Sequence, residues 1–173
     1  VIRQIHVDGT PVALADLEDD TRRLLGDISQ REKIEIITST IWEVALDSIR
    51  EGSAYLDRVA TVIPSLASSF QISPGPEAFE NLRQLYEGFY FLNLLLDRLQ
   101  RSFQISLGEI LVNGVAVREH HERFISILKQ LVDAQEREDF VLVSDLLEYE
   151  IITFIPVWKE MLAVIAEKVT AAQ

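Results

Sequence analysis

Trp42, Ile49, Leu56, Ile63 and Phe70 fall seven residues apart in one unbroken series. An apolar residue at every seventh position returns to the same side of an α-helix, so this stretch must bury a seam against another helix. Between these residues lie Ala45, Gly52, Val59 and Leu66, which complete the seam mostly with small side chains. Gly52-Ser53-Ala54 would let a neighbouring backbone come close. Thr40-Ile41-Trp42-Glu43 reads as the capping box that opens this helix, because the hydroxyl and the carboxylate can each satisfy a free backbone N–H. The helix should run to about Phe70, with Pro64 either kinking it or dividing it into two shorter helices.

Three later stretches repeat the pattern. After the connector Ser73-Pro74-Gly75-Pro76, with Pro76 suited to a first helical turn, residues Ala78, Leu82, Leu85, Phe89, Leu92, Leu96, Leu99 and Phe103 alternate steps of four and three. A second set, Tyr86, Tyr90, Phe91, Leu94 and Leu95, widens that apolar face, so this second helix should be the central one with several neighbours. A third helix carries Val117, His121, Phe124, Leu128 and Leu131 on one face and should end near Arg137. Asp139 can cap a fourth, whose seam is Phe140, Leu147, Ile151, Phe154, Trp158, Met161 and Ile165, with a kink expected at Pro156. Between the second and third helices, Asn113-Gly114 sits between apolar triplets; a hairpin or one more helical turn would fit, and a short extended connector is favoured. Short links between long helices make neighbours antiparallel. The expected fold is mainly α, an antiparallel four-helix-type bundle over residues 39–173.

Residues 1–38 read differently. Ile2 to Val7 alternates apolar and polar side chains, Asp8-Gly9 favours a tight turn, and Val12 begins a short return strand with Pro11 at an edge. Ala15 to Leu25 reads as a helix ended by Gly26, and Lys33 to Ile37 as a further strand. This is expected to be a small α+β appendage. The chain starts at Val1 without Met, which is consistent with further sequence upstream.

The 173 residues carry a net charge of −12, which argues against nucleic acid, whose binders need a basic face, and equally against anionic lipid. The chain has no cysteine, so disulfides, thiolate metal sites and cysteine nucleophiles are excluded. A reducing cytoplasm is compatible with that composition and is the expected location. A membrane span needs about 20 consecutive apolar residues, and the apolar runs Gly88 to Leu96 and Ile151 to Trp158 are far shorter.

Chemistry-bearing constellations are few. Asp145, Glu148 and Glu150 could serve as acid and base or hold a hard metal, but they lie off the Leu147–Ile151 seam and read as a solvated face. Carboxylate di-metal bundles need Glu-x-x-His, whereas the residues three before His120 and His121 are Val117 and Arg118. Adjacent helical histidines point about 100° apart and do not readily share one ion. His121 falls on the apolar stripe and reads as a hydrogen-bonded core residue, His120 as a surface one; His6 has no visible companion. No Gly-x-Ser-x-Gly, P-loop or Gly-x-Gly-x-x-Gly pattern occurs. The reading is that the chain has no catalytic residue, no metal and no cofactor.

One feature points to binding. Leu142, Leu146 and Tyr149 form a stripe opposite the main seam of the fourth helix, bordered by Asp145 and Glu148. Such a stripe has to be covered by the rest of the chain, a second copy or a partner helix.

The stretch Asp133-Ala134-Gln135-Glu136-Arg137-Glu138-Asp139-Phe140, continued by Asp145-Leu146-Leu147-Glu148-Tyr149-Glu150 and Trp158, resembles uncharacterised bacterial helical proteins, mainly over the third and fourth helices. More loosely, a small acidic helical chain with a late Trp158-Lys159-Glu160 is similar to flagellar export chaperones. That likeness implies a groove receiving apolar segments of a secretion substrate; the segment before residue 38 departs from it, and no functional residue carries over. The leading expectation is a non-enzymatic protein–protein interaction module, chaperone-like. A structural homodimer using the same stripes is the alternative. An enzyme built on Glu148, Glu150 and His121 is third.

Overall fold

The alternation over Ile2–Val7 is realised as strand β1, the middle of an antiparallel three-stranded sheet in the computed structural model, which describes residues 2–7, 10–12 and 34–172. Strand β2 (Thr10–Val12) pairs with it at Ile5↔Val12 and Val7↔Thr10, and β3 (Ile34–Thr38) at Val7↔Ile34, with a register irregularity between Ile2 and Gln4. Pro11 therefore sits on an edge strand, where its missing N–H breaks no central ladder. The turn expected at Asp8-Gly9 and the helix expected over Ala15 to Leu25 lie outside the described residues. This sheet belongs to one compact unit, Val1–Val44; Ala45–Gln173 form a second.

Helix α1 (Ile41–Ile72) opens as its capping box dictates. The Thr40 N–H donates to Glu43 Oε2 at 2.8 Å, and the Glu43 N–H to Thr40 Oγ1 at 3.2 Å. Ile49, Leu56, Ile63 and Phe70 are buried at their seven-residue spacing, with Ala45, Gly52, Val59 and Leu66 between them, while Trp42 is half-buried. Pro64 does not divide the helix, which runs on as one element. It lies on the exposed side, where water can satisfy the carbonyl left without a donor.

Helix α2 (Pro76–Phe103) starts with Pro76 in its first turn and ends where Gln104 turns left-handed at φ 52°. Ala78, Leu82, Leu85, Phe89, Leu92, Leu96 and Leu99 are all buried. The wider face is narrower than the sequence suggested: Leu95 is buried, Tyr86 and Leu94 are half-buried, and Tyr90 and Phe91 are exposed. Beyond α2, β4 (Leu111–Val112) and β5 (Val115–Ala116) form a hairpin. Its turn residues Asn113 and Gly114 have φ 52° and 78°, the primed geometry that Asn-Gly favours. The Asn113 amide donates to Glu160 Oε2 at 2.7 Å.

Helix α3 (Val117–Glu136) ends at Arg137. The fourth apolar stretch is not one regular helix. It comprises α4 (Phe140–Asp145), a π-helical turn (Leu146–Ile151) and α5 (Ile152–Ala171), which continues through an exposed Pro156.

Side-chain contacts between α1 and α2, and between α2 and α3, run in opposite chain order. Along α1, Gly52 faces Leu92 and Leu95, the Tyr55 hydroxyl donates to the Leu85 carbonyl at 3.2 Å, and Phe70 meets Phe79 with centroids 5.4 Å apart. Between α2 and α3, Phe89 packs on Phe124 at 4.8 Å and Tyr86 reaches Gln135. Phe124 stands against Phe154 at 5.2 Å and Trp158 at 5.4 Å. Lys159 on α5 pairs with Asp57 on α1 at 2.6 Å. Gly52 is where Leu92, Leu95 and Leu162 converge, so close that a Cβ there would lie 3.0 Å from Leu92.

Candidate functional site

Asp139 begins the candidate face. Its carboxylate accepts the Leu142 N–H at 3.1 Å, capping α4 and fixing the direction in which the following residues point. Val141 and Leu142 then stand exposed at 64% and 42%, and Asp145, Glu148 and Tyr149 are exposed further along.

The stripe expected from regular helical spacing needs one correction. Leu146 is 6% exposed and belongs to the core, although Leu142 and Tyr149 on either side of it are open. The cause is local. From Leu146 to Ile151 the chain forms a π-helical turn, and the Ile152 N–H accordingly reaches back five residues, rather than four, to the Leu147 carbonyl. The wider turn changes the angular step, so a 3.6-residue projection no longer tells inside from outside there.

Beside Val141 the surface sinks into a cleft of about 480 Å³ lined by Phe70, Ile72, Phe79 and Phe140 together with Gln71, Ser73, Pro74, Glu138 and Asp139. Its three phenylalanine rings are mutually in contact: Phe70–Phe140 at 5.9 Å and Phe79–Phe140 at 5.8 Å complete the triangle begun by Phe70–Phe79. Ile72 at its margin is 83% exposed. Sequence reasoning missed this concavity, since its walls come from the end of α1, the start of α2 and the α3–α4 junction.

A second groove, about 360 Å³, lies between α2 and α3 and is lined by Tyr86, Ile125, Leu128, Val132, Lys129 and Asp133. The Tyr86 hydroxyl donates to Gln135 Oε1 at 3.1 Å, and burial pushes its pKa up to about 12.

The histidines are tied into structural contacts. His120 was expected at the surface but is half-buried, its Nε2 donating to the Val112 carbonyl at 2.9 Å and its ring edge-on to Phe154. His121 hydrogen-bonds Asn93 and meets Trp158 edge-on at 6.1 Å. Burial holds its pKa below the ordinary histidine value, and the neighbouring Glu122 opposes that shift in part. Glu150 has Arg123 at 3.8 Å, and Glu148 is exposed, so the groups of the enzymatic reading engage different surroundings. Among the described residues, no three His, Asp or Glu side chains group as a metal site. No helix among them is long and apolar enough to cross a membrane.

The family described as "Domain of unknown function (DUF8042)" matches residues 47–161, more than half of the chain, including α4 and the π-helical turn. No curated protein and no solved structure matches the chain.

Proposed function

We propose that this chain, which belongs to the DUF8042 family, is a non-enzymatic, chaperone-like protein-interaction module that covers an apolar segment of a partner protein in the cytoplasm. Its helices form an antiparallel four-helix bundle in this reading, with the N-terminal residues as a small α+β appendage. The observation that carries it is the exposure of Val141 and Leu142 on α4 and of Tyr149 on the π-helical turn that follows, next to an open cleft floored by three phenylalanines. Exposed apolar side chains beside a concavity favour burial of a partner's apolar segment. Asp145 and Glu148 border the face and select among partners by charge.

The test is retention of a partner from a native lysate by the tagged chain, compared with Tyr149→Asp and Leu142→Asp. Both side chains are exposed, so the substitutions spare the core. Equal retention by wild type and both variants would remove this face from the reading.

A structural homodimer is the second reading, favoured by the α2–α3 groove. Its apolar walls are accompanied by Lys129 and Asp133, charges of both signs that a two-fold axis could pair across an isologous contact. Light scattering at micromolar concentration decides: a monomer rules the homodimer out.

A further inference from the structure

We propose that the occupant of the α4 face is a basic amphipathic helix of a partner protein, with one of its apolar side chains seated in the Phe70–Phe79–Phe140 cleft. The proposal rests on the interaction reading above and specifies its partner. From Glu136 to Glu150 the chain carries six carboxylates (Glu136, Glu138, Asp139, Asp145, Glu148, Glu150) and one guanidinium, Arg137, a local balance of −5. Glu150 has a cation against it, Arg123 at 3.8 Å, and the Asp139 carboxylate accepts a backbone N–H. Glu138, Asp145 and Glu148 stand exposed around the apolar side chains. No lysine or arginine lines the cleft among the described residues.

Charge decides between occupants. A second copy docked here face to face would bring two such acidic surfaces together, and like charges juxtaposed at an interface are penalised. A basic segment gains from the same field, both in encounter rate and in register. Shape decides its conformation. The backbone of α4 and the π-helical turn is committed to intrahelical hydrogen bonds, so no strand edge is offered to an extended peptide. Val141 and Tyr149, eight positions apart, span about 12 Å at helical rise, roughly two turns of a helix laid alongside.

The test uses the full chain and three fluorescent peptides of about 18 residues, five helical turns. One places Leu on one helical face and Lys on the other, one scrambles the same residues, and one replaces every Lys with Glu; binding is read by anisotropy. The Leu/Lys helix should bind about tenfold or more tightly than either control, and added salt should weaken it. Val141→Asp should weaken it about tenfold. That substitution adds negative charge, so electrostatics alone would strengthen binding, and its loss reports apolar seating. Glu148→Lys should weaken the Leu/Lys helix and not the Leu/Glu one.

Equal binding of the Leu/Lys and Leu/Glu helices, both weakened by Val141→Asp, overturns the basic partner and leaves the docking face standing. Equal binding of the Leu/Lys helix and its scramble, or no effect of Val141→Asp, overturns the seating in the cleft. Absence of binding by every peptide overturns the proposal, while the lysate comparison at Tyr149 and Leu142 still judges the face by itself.

Discussion

His121 on α3 donates its Nε2–H to Oδ1 of Asn93 on α2. The Asn93 amide nitrogen is committed to the Phe89 carbonyl at 2.9 Å, so the oxygen is the atom it turns to the imidazole, and the imidazole must present an N–H. Burial is unfavourable to a second proton on this ring, and Glu122 is the anionic neighbour that partly offsets the loss of water.

A pH dependence of stability follows from that contact. The folded-state pKa of His121 is depressed, so the folded chain binds the proton less readily than the unfolded chain does. Its contribution is fully present above the ordinary histidine value of about 6.5 and is lost as the pH falls below it toward the folded pKa. Urea unfolding should therefore show stability declining as the pH falls below about 6.5. His121→Gln, which keeps a donor for Asn93 without titrating, should flatten that decline. An unchanged slope in the variant would assign the pH dependence to other groups.

Gly88 and Tyr55 form a second interhelical relationship with a measurable consequence. A Cβ at position 88 would overlap the Tyr55 ring and hydroxyl, so any side chain there has to displace that ring. There the Tyr55 hydroxyl donates to the Leu85 carbonyl, the ring edge meets Phe89 at 6.2 Å, and burial raises its pKa to about 12. Gly88→Ala gains helix propensity but drives the ring out, and overpacking of this kind costs about 1–3 kcal/mol. The expected outcome is net loss of stability, with the Tyr55 phenol returning toward its ordinary value near 10. Ultraviolet titration against Tyr55→Phe isolates the signal.

Ser144 is 1% exposed, and its hydroxyl has no hydrogen-bond partner among the described residues. An unsatisfied buried hydroxyl costs about 1–3 kcal/mol, and serine is a weaker helix former than alanine. Ser144→Ala should raise the urea midpoint with an unchanged slope, a gain of about 1 kcal/mol. A loss of stability instead would mean that the hydroxyl makes a bond this geometry does not provide.

The seams were readable in the sequence because burial repeats with the helical period. Leu56, Ile63 and Phe70 in α1, and Leu82, Phe89 and Leu96 in α2, are buried at the spacing that predicts them. The Thr40–Glu43 capping box was readable for a different reason, since it is a local arrangement whose residues carry their own backbone preference; Asn113-Gly114 carried the same kind of signal, but a short extended connector was favoured over the hairpin that forms. Two kinds of feature were not. The Phe70–Phe79–Phe140 cleft joins residues from separate helices, and periodicity holds no information on which helix ends meet. The inward turn of Leu146 depends on a π-helical step that the period of an ordinary helix cannot encode. Gly88 did leave a signal, a glycine inside an apolar helical run, but naming Tyr55 as its counterpart required the packing.

Leu146 and Tyr149 should separate stability from binding, though regular spacing places them on one stripe. Leu146 is in the core, so Leu146→Ala should cost about 2–5 kcal/mol, the range for truncating a buried leucine. Any loss of partner retention in that variant would then track unfolding. Tyr149 is 61% exposed, so Tyr149→Ala should change stability by no more than about 0.5 kcal/mol. If it lies in the contact, that variant should lose the partner while its urea curve overlays the wild type. Denaturation and retention measured on the same two preparations decide the matter. A large stability loss at Tyr149, or a negligible one at Leu146, would mean the π-helical turn directs these side chains the other way and would remove the geometric basis of the face.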